Sequence, residues 1–152
     1  MGSDFEFFMG TWRVHHRRRR DPLTGSDSWY EFDGTATARP LWGGAANVDE
    51  VDYESPNGRQ RGLTLRLFEP KTGLWRLYWA SSVKNAFEEP VIGRFAGGRG
   101  EFHGHEVLDG RAIFVRFVWS EITPTSCRWE QAFSEDGGRS WETNWIAEFT
   151  RA

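Results

Sequence analysis

Cysteine is nearly missing from this chain of 152 residues: Cys127 is the single one. An intramolecular disulfide is therefore excluded, as is a structural zinc site built on several thiolates. A chain without disulfides fits a reducing compartment, and a cytoplasmic location is expected. Strand-like neighbours, Ser126 and Arg128, give Cys127 a structural rather than a nucleophilic reading. Long apolar runs are missing too. No stretch approaches the ~18 residues of a membrane span, so no membrane partner is expected. No basic-then-apolar leader opens the chain. Residues Met1-Gly2-Ser3-Asp4-Phe5-Glu6 lack the Ser or Thr that a myristoylation site needs at its sixth position. Helical patterning is also scarce. No ten residues carry an apolar period of 3.6, and at most residues 4–9 form a helical turn.

A large excess of charge is absent as well. Lys and Arg number 19 against 22 Asp and Glu, for a net charge of −3. That balance gives no global attraction to nucleic acid or anionic lipid. The one basic run is His15-His16-Arg17-Arg18-Arg19-Arg20, and Asp21-Pro22 ends it at once. In a strand its side chains alternate between two faces, so it does not make one phosphate-binding patch. No nucleic-acid partner is expected. The sequence leaves a homodimer open.

What the chain does have is aromatic side chains and regular punctuation. Nine Trp, twelve Phe and three Tyr make up 16% of it. The length fits one domain, residues 1–152, with one core. Breaks fall at Asp21-Pro22-Leu23-Thr24-Gly25, Gly43-Gly44, Ser55-Pro56-Asn57-Gly58, Glu69-Pro70-Lys71-Thr72-Gly73 and Glu89-Pro90. Four more fall at Gly97-Gly98-Arg99-Gly100, Asp109-Gly110, Thr123-Pro124-Thr125 and Asp136-Gly137-Gly138. Gly supplies positive φ and Pro a fixed φ, the geometry of turns. The segments between are 11–19, 28–39, 46–54, 60–69, 74–82, 91–95, 101–107, 111–121, 126–134 and 140–151. They are rich in Val, Thr, Phe, Tyr and Trp, as strands are. Several alternate with period two. Trp141, Thr143, Trp145, Ala147 and Phe149 share one face of the last; Trp129, Gln131 and Phe133 share one face of the ninth. In the fourth, Leu63, Leu65 and Leu67 oppose Thr64, Arg66 and Phe68.

Period two over so many segments predicts a sheet with one buried face. The connections are too short for parallel crossovers, so the sheet is antiparallel. Ten strands in an open sheet leave two edges exposed to aggregation, and pairing the last strand with the first removes both. The expected fold is all-β: a closed antiparallel up-and-down barrel of about ten strands. Eight strands leave an interior that side chains fill or that holds one small ligand. Ten should leave space even with bulky rings inside.

Two stretches carry a family resemblance. Phe8-Met9-Gly10-Thr11-Trp12 resembles the Gly-x-Trp signature that opens the first strand of lipocalins and their calycin relatives. From Phe5 to the closing Trp145-Ile146-Ala147-Glu148-Phe149-Thr150-Arg151, the chain resembles a bacterial family of lipocalin-like domains of unknown function. The resemblance implies a calycin-type barrel with a ligand cavity and no specific reaction. It also implies that Trp12 packs across the closed end. Alternation then sends Val14, His16 and Arg18 inward in turn. A further match is Ser134-Glu135-Asp136-Gly137-Gly138-Arg139-Ser140-Trp141, similar to the Asp-box of sialidase-type propellers. A propeller repeats its unit at least four times and this chain has one copy, so the motif reads as a hairpin staple.

Chemistry can be weighed against that interior. His103-x-His105 faintly resembles the first half of a cupin metal motif, but Asp109 stands where Glu is usual and no later His follows. A solvated His pair is the expectation, with no metal and no cofactor. A metal-binding barrel, or haem through one axial His, remains an alternative, with His15, His16, His103 and His105 as the haem candidates. For acid–base work the leading groups are His16, if it faces inward, and Asp49, which shares one face of its strand with Asn47, Val51 and Tyr53; whether that face points inward or to solvent stays open in the sequence. A buried Asp49 would need a partner, and Arg18, Arg66 or Arg116 could supply it. Nucleophile elbows, phosphate-binding glycine loops and dinucleotide fingerprints are absent.

The fullest signal is aromatic lining. Trp75, Trp79, Trp119, Trp129, Trp141 and Trp145 are placed inside, an unusual amount of Trp for mere core filler. Arg18, Asn47, Tyr53, Trp79, Arg116, Trp119, Gln131 and Trp145 are the predicted ligand-binding residues. If Ile113, Val115, Phe117 and Trp119 form the inner face of the eighth strand, Arg116 falls outside. Three readings follow. The barrel binds a small, largely apolar or aromatic molecule, anionic if an inward Arg meets a carboxylate. Or it is a cofactor-independent isomerase, cyclase or lyase using His16 and a carboxylate. Or the rings fill the barrel and the outer surface carries the function.

Overall fold

Ten antiparallel strands close on themselves in the computed structural model, which describes residues 4–152. The chain enters through a 3-10 turn, Glu6–Phe8, and then forms β1 (Gly10–Arg19), β2 (Trp29–Leu41), β3 (Ala46–Ser55), β4 (Gly58–Glu69) and β5 (Leu74–Ser81). The second half is β6 (Val91–Ala96), β7 (Arg99–Leu108), β8 (Arg111–Ser120), β9 (Ser126–Ser134) and β10 (Glu142–Arg151). Each strand pairs with its sequence neighbour, and β1 pairs with β10 to close the ring. The all-β, ten-stranded, up-and-down barrel expected from the turn spacing is the fold. The myristoylation reading rests in part on residues 1–3, which lie outside the described residues. No helix among the described residues is long and apolar enough to cross a membrane.

One end of the barrel is plugged by the entering turn. Phe5 and Phe8 are buried there, against Trp12, Trp75, Phe102, Trp119 and Phe149. The Phe5 and Trp75 rings meet edge to face with centroids 5.0 Å apart, a favoured aromatic geometry. Trp12 is fully buried, as the resemblance implied, and its Nε1 donates to the Phe8 carbonyl at 2.8 Å. Arg151, at the end of β10, lies over the Trp12 ring at 3.9 Å. Its guanidinium donates to the carbonyl of Phe7 at 2.7 Å and to that of Met9. Gly10 fits this junction for two reasons. Its φ is +111°, and a Cβ there would lie 2.6 Å from Arg151 Nη1.

Interior faces follow the alternation with two departures. In β4 the inward set is Thr64 and Arg66, both buried, while Leu63, Leu65 and Leu67 are half-buried on the other face. The apolar stripe of that strand is therefore its outer stripe. In β10 the alternation from Trp141 breaks at an irregularity between Thr143 and Trp145. Trp145, Ala147 and Phe149 line the interior, whereas Trp141 lies outside, beneath the Arg116 guanidinium at 4.7 Å. A bulge inserts one residue, and every side chain before it changes face.

The hairpin from β9 to β10 is stapled as its motif predicts. Asp136 accepts from the Ser140 amide (2.9 Å), the Ser140 hydroxyl (2.6 Å) and the Ser134 hydroxyl (2.8 Å). Ser134 Oγ in turn accepts from the Gly138 amide at 2.8 Å. These bonds hold the Asp136 carboxyl well below the usual carboxylate range.

Candidate functional site

Above the plug the barrel holds about 650 Å³ of space free of atoms, counting the part that opens to solvent. Its walls are Val51, Leu77, Trp79, Phe117, Trp119, Trp129, Trp145 and Phe149, with Tyr53 and His16 toward one side. Trp79 lies against Gly62: a Cβ on that glycine would come within 2.0 Å of the indole. Residue 62 must lack a side chain for this wall to exist.

The polar floor comes from β3 and β4. Register places Asn47 opposite Arg66 and Asp49 opposite Thr64. Inward side chains at those positions meet across the strand pair. Arg66 Nη2 donates to Asp49 Oδ2 at 2.5 Å and Nη1 to Asn47 Oδ1 at 2.9 Å. The Arg66 and Asp49 side chains are 3% and 4% exposed. The guanidinium also stands within 5.0 to 5.7 Å of the Phe5, Phe8 and Trp119 ring centres. It thus separates the plug below from the cavity above. Each charge of this buried pair has its counter-ion, and the Arg66 guanidinium has the Asn47 oxygen and three rings besides.

His16 is buried between aromatic rings, stacked on Phe32 at 4.7 Å. Burial, with help from His15 and Arg18, lowers its pKa to about 4, so it is neutral at neutral pH. Trp145 Nε1 meets His16 Nδ1 at 3.0 Å. An indole N–H can only donate, so Nδ1 accepts and the single ring proton belongs on Nε2. That Nε2–H has no partner within the protein. Trp119 Nε1, Arg66 Nε and Asp49 Oδ1 are likewise buried without one. His15, one residue earlier, faces the other way, where Asp33 and Glu31 hydrogen-bond it and raise its pKa.

The predicted residues divide as follows. His16, Asp49, Tyr53, Trp79, Trp119, Gln131 and Trp145 all line the cavity. Asn47 stands just behind it, buried, holding Arg66. Arg18 sits over the Trp145 ring at 4.1 Å, toward the rim. Gln131 donates to Asn144 Oδ1 at 2.8 Å, beside the β10 bulge. Arg116 is the exception. Phe117 and Trp119 face inward, so Arg116 lies on the outer face over Trp141, and its placement in the cavity is corrected. Trp141 leaves the interior with it.

Arg66 was in view only as one of three possible partners for a carboxylate, yet it forms the floor. The signal was there: a cation alternating with Thr64 opposite an Asn-x-Asp face. Also missed was a carboxyl pair at the rim. Glu106 is on the inward-facing set of β7, and burial with the neighbouring, hydrogen-bonded Glu88 pushes its pKa up to about 7. His103 and His105 occupy the other face, against Trp141 and Phe114. Among the described residues, no three His, Cys, Asp or Glu side chains gather closely enough to hold a metal ion. Cys127 is buried in the plug region, and burial pushes its thiol up to about 12.

A closed ten-stranded barrel, shut at one end by an aromatic plug and hollow above a buried ion pair, is a calycin-type architecture. The S-type phycobiliprotein lyase CPES from Guillardia theta has a similar structure. The TM-score is 0.59 at 12% sequence identity, with 97% of this chain and 90% of that chain covered. At that identity the likeness concerns the fold. No family model matches the sequence, and no curated protein matches it either.

Proposed function

We propose that the protein binds a small, largely apolar or aromatic molecule inside the barrel. The observation that carries this reading is the set of buried polar atoms left without partners in an otherwise aromatic cavity. His16 Nε2, Trp119 Nε1 and Asp49 Oδ1 all belong to residues that line it. Such atoms are costly unless something meets them. An apolar wall with a few convergent polar groups is the usual anatomy of a small-molecule site. The Gly10-Thr11-Trp12 opening, with Trp12 buried at the plugged end of a closed barrel, supports placing the chain among lipocalin-like domains.

In this reading His16 and Asp49 recognise the ligand. His16 offers a proton-bearing Nε2, its Nδ1 lone pair is occupied by Trp145, and Asp49 is neutralised by Arg66. With its Nδ1 occupied by Trp145, His16 has no free lone pair to act as a base. The test uses the cavity's own indoles. Aromatic ligands should quench Trp fluorescence in the wild type and leave Ala147→Trp, which fills the bore, unaffected. Native mass spectrometry of protein from its own host should show a retained small molecule absent from the filled variant. Equal responses from both proteins would reject the reading.

A further inference from the structure

The interior charge is closed on itself. Asp49 is the counter-ion of Arg66 at 2.5 Å, and Asn47 takes a second guanidinium N–H. Arg18, the next cation along the inward face of β1, sits higher, over the Trp145 ring. A ligand carboxylate reaching the floor would therefore find no free positive charge. It would add a second negative charge beside Asp49, between indole walls that cannot solvate it. What the floor and walls leave unmet is of another kind. His16 Nε2–H, Trp119 Nε1–H and Arg66 Nε–H are donors, and Asp49 Oδ1 is an acceptor.

We propose that the site selects uncharged aromatic or polycyclic molecules whose polar edge pairs a carbonyl-type acceptor with an N–H or O–H donor. A carboxamide, lactam or hydroxy ketone has that edge; the matching carboxylate is disfavoured. The inference rests on the cavity-binding reading and specifies its ligand. The carbonyl oxygen takes the wall donors, and the ligand's own donor goes to Asp49 Oδ1. Leaving either set unmatched forfeits hydrogen bonds that a site of this kind uses to discriminate.

Equilibrium dialysis at pH 7.5 against naphthalene-2-carboxamide, naphthalene-2-carboxylate and 2-methylnaphthalene tests it. The carboxamide should bind at least tenfold more tightly than each of the others. A carboxylate bound as well as the carboxamide overturns the charge selection, and methylnaphthalene bound as well overturns the polar edge. Either result leaves cavity binding standing. Failure of all three to bind removes the cavity reading itself, and the proposal with it. Asp49→Asn frees the Arg66 charge and should shift the carboxylate-to-carboxamide affinity ratio by tenfold or more toward the carboxylate. An unchanged ratio in a folded variant counts against the proposal, and the wild-type comparison decides where the variant does not fold.

Discussion

At the scale of single residues, the Arg66–Asp49 pair makes the strongest claim on stability. Removing one partner strands a buried charge, so Arg66→Met and Asp49→Leu should each cost roughly 3–5 kcal/mol in urea unfolding. The double variant should recover most of that loss, because shape is kept and no charge is left alone. His16 should govern the acid side of the stability curve. Its folded pKa, about 4, lies below the ordinary 6.5. The unfolded chain takes up the proton first, so stability falls as pH drops from 6.5 through 4, by roughly 2–3 kcal/mol at the end of that window. His16→Phe, which keeps the stack on Phe32, should flatten that slope in urea titrations run at several pH values. Arg66 itself was only half legible. The sequence showed a cation on an alternating strand, but which of three arginines would meet Asp49 depends on the offset between β3 and β4.

At the scale of elements, the strands were readable because turn chemistry and period-two patterning agree. Gly, Pro and Asp at the breaks set their limits to within about three residues. Which face turns inward was harder. In β4 the three leucines point outward because the inner positions of β3 and β4 carry the polar floor. Local apolarity gives the wrong sign where a site occupies the interior, and such conflicts are expected at functional positions. In β10 one extra residue reverses Trp141, and neither side of the bulge carries a Pro or Gly that would mark it. The staple before it does have a sequence mark. Asp136→Ala should lower the melting temperature and speed amide exchange at Ser140, whose N–H it accepts, and at Gly138, whose N–H goes to the Ser134 hydroxyl that Asp136 holds.

At the scale of the whole molecule, the ring is uneven. β5 and β6 pair only over Trp75–Leu77 with Val91–Gly93, and the chain between them crosses the rim through residues 82–90. That strap is held by the Glu88 amide on the Trp79 carbonyl (2.9 Å) and by the Glu88–Glu106 contact. Glu106 keeps its proton in the folded state until about pH 7, above its ordinary 4.5. Its contribution is therefore present at low pH and lost as pH rises through 7, opposite in sign to that of His16. Hydrogen exchange should find residues 82–90 less protected at pH 8 than at pH 6 after correction for intrinsic rates. In Glu106→Gln that difference should vanish.

The seam between the first and last strands has a consequence for synthesis. Trp12 gains its partner Arg151 only once β10 has left the ribosome, so the tube cannot shut before that strand emerges. Until then its many rings stand open to water on an unfinished sheet, where contacts of long sequence separation form slowly and sticky edges persist. Arrested nascent chains lacking β10 should bind chaperones, and emergence of that strand should end the association.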